Sequence, residues 1–154
     1  MTTIKQISLG VTDDVRAGEF WRQALGYVRR PPRFEGDDWI VLEPPPGVPG
    51  AAIAMDVSRS PAEEFPRTHL DLDAGDRDLD EEVDRLVALG ARRVDWPHYP
   101  DDPRPEEPAY VVLADPEGNR FCVEGRRSGR PHAASGRPHA AEAAPGRRGE
   151  TAGA

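Results

Sequence analysis

Apolar and polar residues alternate from Ile4 to Val11, with Ile7, Leu9 and Val11 on one side and Gln6, Ser8 and Gly10 on the other. Period two marks a strand with one buried face. Thr12, Asp13 and Asp14 follow, and acids there suit the positive end of a helix. The spacing predicts a helix to Leu25 that buries residues drawn from Val15, Ala17, Phe20, Trp21, Ala24 and Leu25. Gly26 ends it as a C′ glycine. A second copy of the pattern starts near Arg67, where Leu70 and Leu72 alternate with His69 and Asp71. Asp76 to Asp78 open another helix, and Leu79, Val83, Leu86 and Val87 form its apolar stripe up to Gly90.

The two copies keep the same spacing. Gln6 to Gly26 covers 20 positions and His69 to Gly90 covers 21. Further strands are predicted at Tyr27–Arg30, Asp38–Glu43 and Ala51–Val57 in the first copy. In the second they fall at Ala91–Asp95, Ala109–Ala114 and Arg120–Gly125. Each copy is therefore a βαβββ module, about 4–58 and 66–125, and the fold class is α+β. Neither module can close its own sheet, so the two are expected to pair.

From Arg126 the pattern stops. The heptapeptide Ser-Gly-Arg-Pro-His-Ala-Ala occurs twice in tandem, Ser128 to Ala134 and Ser135 to Ala141. With no apolar mass to offset its ordering entropy, 126–154 reads as a disordered tail. Charge divides at the same place. The 154 residues carry a net −8. The tail has six Arg against two Glu, leaving 14 bases against 26 acids, −12, in residues 1–125. A core that acidic repels nucleic acid, and the basic tail has no aromatic residues to stack on bases. It would suit a cationic ligand. One cysteine, Cys122, permits no intrachain disulfide and fits a reducing compartment. With no secretory h-region and no run long enough to span a bilayer, a cytoplasmic protein without a membrane partner is expected.

Three motifs carry a resemblance. Phe20-Trp21-Arg22-Gln23-Ala24-Leu25-Gly26-Tyr27 ends the first helix, Leu86-Val87-Ala88-Leu89-Gly90-Ala91 ends the second, and Asp115-Pro116-Glu117-Gly118-Asn119 precedes the last strand. In this order, over residues 4–125, they resemble the vicinal oxygen chelate superfamily, which includes glyoxalase I, extradiol dioxygenases and bleomycin-resistance-type proteins. The resemblance implies a glyoxalase/bleomycin resistance fold, in which paired βαβββ modules form a cupped mixed sheet, and commonly a homodimer. The Asp115–Asn119 segment itself reads as a turn joining two strands.

In that fold the helices cover one sheet face and the other lines the cup. The alternation then sends Ile7, Leu9, Leu70, Leu72, Phe121 and Val123 toward the helices. Ser8, Asp56, Asp71, Cys122 and Glu124 become pocket candidates, with Trp39 and Tyr110 as walls or core. Metal-using members hold their ion with a His or Gln on the first strand, an acid on the fourth, a His opening the fifth and a Glu on the eighth. Gln6 and His69 match the first and third positions. Asp56 is the acid on the correct face of the fourth strand, although Ala54 competes for the position. Cys122 stands where the Glu is expected, with Glu124 two residues on. That departure argues against classical glyoxalase I activity, which needs an ionised Glu to move protons, and Gln6 argues against an extradiol dioxygenase. Besides an interaction module that makes its contacts through the Arg/His tail, two functions remain. One is a lyase or isomerase acting on an oxygenated metabolite. The other is a metal-free protein that binds an antibiotic or metabolite. No cofactor is the favoured expectation, with a divalent Zn, Ni, Mn or Fe ion as the other case.

Overall fold

The computed structural model describes residues 1–99 and 109–127. The first module runs β1 (Gln6–Val11), α1 (Asp14–Leu25), β2 (Val28–Arg29), β3 (Val41–Glu43) and β4 (Ala52–Val57). The second runs β5 (Leu70–Asp78), α2 (Leu79–Ala88), β6 (Arg92–Arg93), β7 (Ala109–Ala114) and β8 (Arg120–Arg126). The βαβββ order thus occurs twice. Each module forms a four-stranded sheet, in orders β1-β4-β3-β2 and β5-β8-β7-β6. In both, the first and last strands pair in parallel and the rest are antiparallel. The repeat inferred from spacing is therefore also a repeat of topology.

Local chemistry sets the helix ends. The Asp13 carboxylate accepts the Arg16 N–H at 2.9 Å and caps α1. Gly26, with φ +65°, ends α1 in the left-handed region. Asp78 caps α2 by accepting the Asp80 N–H at 2.9 Å. Val15 and Val87, expected among the buried apolar positions, are exposed. Each stands to one side of a stripe narrower than expected: Ala17, Phe20 and Trp21 in α1, and Leu79, Val83 and Leu86 in α2. The outer strands β2 and β6 keep only two residues each. β3 begins at Val41, leaving Trp39 and Ile40 before it. β5 is longer than the alternation indicates, reaching Asp78 through a register shift after Asp73, where Gly75 takes φ +64°. β8 extends to Arg126, and Arg127 pairs with Asp80 at 3.3 Å, so ordered structure passes the expected boundary at 125. The rest of the anticipated tail, from residue 128, lies outside the described residues.

One hydrophobic cluster serves both modules. Phe20 and Trp21 of α1 meet Phe121 of β8 with ring centroids 6.0 and 5.2 Å apart. Edge-to-face and tilted contacts of this kind join the modules through their apolar mass. Polar contacts add a clasp. The Trp21 indole N–H donates to the fully buried Asp115 carboxylate at 3.0 Å. Asn119 donates to the Gly10 carbonyl at 3.1 Å, and Arg85 of α2 donates to the Ala24 carbonyl, near the end of α1, at 2.8 Å.

Glu117 completes the clasp. Its side chain is 2% exposed. It accepts the Thr12 N–H and hydroxyl, each at 2.6 Å, the Asp13 N–H at 3.2 Å, and the Arg16 guanidinium. Burial pushes its pKa up, but these hydrogen bonds prevail and hold the carboxyl down at about 2. The turn expected only to join β7 to β8 also anchors the start of α1.

Candidate functional site

Two neighbouring features lie where the modules meet. The first is a cavity of about 410 Å³. Its walls come from β1, from Trp21, from the connection between β4 and β5, and from the start of β8. The apolar part includes Leu9, Pro66, Leu70 and Phe121, and the polar part includes Ser8, Ser60, Thr68, His69 and Asn119. β1 and β5 are edge strands of their sheets. The cavity therefore draws residues from both sides of the alternation, Ile7 as well as Ser8.

The second feature is a cluster of three polar side chains. His69 Nε2 lies 3.1 Å from Asp71 Oδ1. Strand register places Asp71 opposite Cys122, and donor atoms of His69, Asp71 and Cys122 all lie within 4.8 Å of one another. His69 belongs to both features, so the cluster adjoins the cavity.

The residues anticipated from the sequence are divided among these places. Ser8 and His69 line the cavity. Gln6 donates to the Ser8 hydroxyl at 3.4 Å. Asp71 and Cys122 join His69. Asp56 is exposed and stands opposite Gly10, while Ala54, opposite Ser8, is buried. Tyr110 and Glu124 are cross-strand partners on β7 and β8, and the Tyr110 ring lies 5.4 Å from that of Tyr99. Trp39 is 41% exposed and its indole N–H donates to the Met55 carbonyl at 2.7 Å. Arg67 and Arg120, not anticipated, also line the cavity. Their signal in the sequence was faint, two basic residues beside alternating strand segments in an acidic chain.

The chain belongs to the glyoxalase-like domain family, whose model matches residues 6–124. It thereby falls within the glyoxalase/bleomycin resistance/dioxygenase superfamily that the motifs suggested. No curated protein matches the chain. Among solved structures, a superfamily enzyme from Burkholderia phytofirmans is similar at 17% identity and TM-score 0.58, over 80% of this chain and 98% of that one. TnmS3, an antibiotic-binding protein from a Streptomyces species, is similar at 18% identity and TM-score 0.53, over 82% and 97%. A mutant of the fosfomycin resistance protein FosX from Listeria monocytogenes, complexed with Mn(II) and a dihydroxypropylphosphonic acid, is similar at 18% identity and TM-score 0.61, over 82% and 93%. At these identities the likeness is one of fold. Among the described residues no helix is long and apolar enough to cross a membrane.

The donors here do not fit the four-ligand set implied by the resemblance. The fourth strand offers buried Ala54 or an Asp56 turned to solvent, and the eighth offers a thiol. Oxygen-rich sites suit Mn(II), whereas a nitrogen, an oxygen and a sulfur suit a borderline-soft ion such as zinc. Asp71 was anticipated as a pocket residue and not as a ligand. It joins because it stands two positions after His69, which immediately precedes β5, and the two side chains meet at 3.1 Å.

Proposed function

We propose that this protein binds a small organic molecule at the junction of its modules, as a carrier or sequestering protein for a metabolite or antibiotic. The observation that supports this reading is the cavity, at about 410 Å³. That volume is within the range of small-molecule sites, and apolar walls with a few converging polar groups match their chemistry. Differential scanning fluorimetry against a metabolite and antibiotic panel tests it. A true ligand at 100 times its Kd stabilises the fold by about 2.7 kcal/mol, and Ser8→Trp, which puts a bulky indole at the cavity wall, abolishes the shift while keeping its own cooperative melt. Shifts that survive Ser8→Trp unchanged would refute the cavity as the site.

A second reading is favoured by the His69–Asp71–Cys122 cluster. With zinc held by these three donors, the protein would be a lyase or isomerase for an oxygenated substrate, the ion polarising a substrate oxygen. Metal analysis of the purified protein, before and after zinc addition, separates the readings. Stoichiometric zinc lost in both His69→Ala and Cys122→Ser supports the second, and no zinc retention removes it.

A further inference from the structure

We propose that the junction cavity recognises an oxyanion, a carboxylate or a phosphoryl or phosphonyl group, carried on an apolar body. The inference deepens the proposed binding function and rests on it. Two guanidinium side chains, Arg67 and Arg120, line this cavity. The other charged lining residues are one carboxylate, Glu63, and the titratable His69. The local balance is thus basic, inside residues 1–125 that carry −12 overall. This reverses the cationic preference suggested by net charge.

Partnering makes the point sharper. Carboxylates are abundant, and eight other arginines, among them Arg16, Arg22, Arg30 and Arg85, form ion pairs with them. Arg67 and Arg120 form none among the described residues, and of the arginines without an ion pair there (Arg29, Arg59, Arg67, Arg92, Arg120 and Arg126) these two line the cavity. The Nε–H of Arg120 is buried without a hydrogen-bond acceptor among the described residues, as is that of Arg30, so it is the terminal nitrogens of Arg120 that are left for a ligand. A guanidinium presents a planar fork that matches carboxylate and phosphoryl oxygens in two-point contacts. Ser8 and Thr68, which also line the cavity, carry hydroxyl donors. Leu9, Leu70 and Phe121 give the remainder of the ligand an apolar surface.

Calorimetric titration of the full chain with phenylphosphonate, phenylacetate and phenethylammonium tests this. At least one of the two anions is expected to bind and the cation not to bind. The tighter anion then identifies a tetrahedral or a planar head group. Arg120→Gln and Arg67→Gln should each weaken the anion about tenfold or more, with Arg120→Lys recovering part of the loss, while melting temperatures stay near wild type. Anion binding unchanged in both Gln variants overturns the assignment, as does failure of both anions to bind. If phenethylammonium binds instead and Ser8→Trp removes it, the anion assignment falls while the cavity remains the binding site. Binding that survives Ser8→Trp removes the cavity and the anion assignment together.

Discussion

Glu117 is the residue on which the junction most depends, because one carboxylate satisfies two backbone N–H groups, a hydroxyl and a guanidinium. Its pKa is depressed to about 2 from an ordinary 4.5. A group depressed on folding stabilises the fold above its unfolded pKa, and that stability is lost as pH falls through the folded value. The contribution is thus complete above about pH 4.5 and disappears toward pH 2. Glu117→Gln should cost about 2 kcal/mol at neutral pH by removing the charge from the hydrogen bonds to Thr12, Asp13 and Arg16. It should also flatten the decline in urea stability between pH 4.5 and 2 relative to wild type, and an unchanged acid profile would exclude this role. The sequence showed Glu117 as one member of a turn, since Thr12 and Arg16 lie 105 and 101 positions away. A separation of 53 positions likewise hid Arg67 and Arg120 as residues of one cavity. His69 and Asp71 were visible because strand alternation is local, and Cys122 because it occupies a family position. That the three side chains meet depends on the β5–β8 register, which neither segment encodes alone.

Elements were legible where their pattern was long. α1, α2, β1, β7 and β8 carry six or more patterned residues and a clear stop, and they appear close to the expected limits. β2 and β6 fall within the expected Tyr27–Arg30 and Ala91–Asp95 but keep only two residues each, too few for a period of two to set their limits. The path of β5 beyond Leu72 is polar, so no alternation announced it. Close approach between elements was likewise invisible. Gly18 lies inside α1, where glycine is ordinarily unfavourable by up to about 1 kcal/mol against alanine. Here a Cβ would stand 2.8 Å from Cγ2 of Ile40, which is buried. That methyl is fixed to a branched Cβ and has little room to yield. Overpacking costs about 1–3 kcal/mol, so it outweighs the helix gain. Gly18→Ala should lower the thermal midpoint, and Gly18→Val should lower it further. A stabilised Gly18→Ala protein would show that α1 can lift away from the sheet without penalty.

At the scale of the molecule, the question is whether two modules with separate sheets fold as two units or one. The strands argue for two, since each sheet is complete within its module. The core argues for one. Phe121 of the second module is 1% exposed against Phe20 and Trp21 of the first, and Trp21 also donates to buried Asp115. Unfolding of the first module alone would bare this aromatic cluster and strip the Glu117 carboxylate of its Thr12, Asp13 and Arg16 donors. Exposing even one large aromatic side chain costs about 2–3 kcal/mol, and losing hydrogen bonds to a charged group about 1.5–3 kcal/mol. The half-unfolded state is therefore disfavoured by several kcal/mol. The chain supplies its own reporters, because Trp39 precedes β3 in the first module and Trp96 follows β6 in the second. In Trp21→Phe/Trp96→Phe, fluorescence follows the first module; in Trp21→Phe/Trp39→Phe, it follows the second. Both variants should unfold in urea at lower midpoints than wild type, since each loses the Trp21–Asp115 hydrogen bond. Within each variant the fluorescence midpoint should coincide with that from far-ultraviolet circular dichroism, the mark of a single transition. Separated midpoints would mean that the clasp and the shared aromatic core do not couple the modules, and that the cavity between them opens without unfolding either.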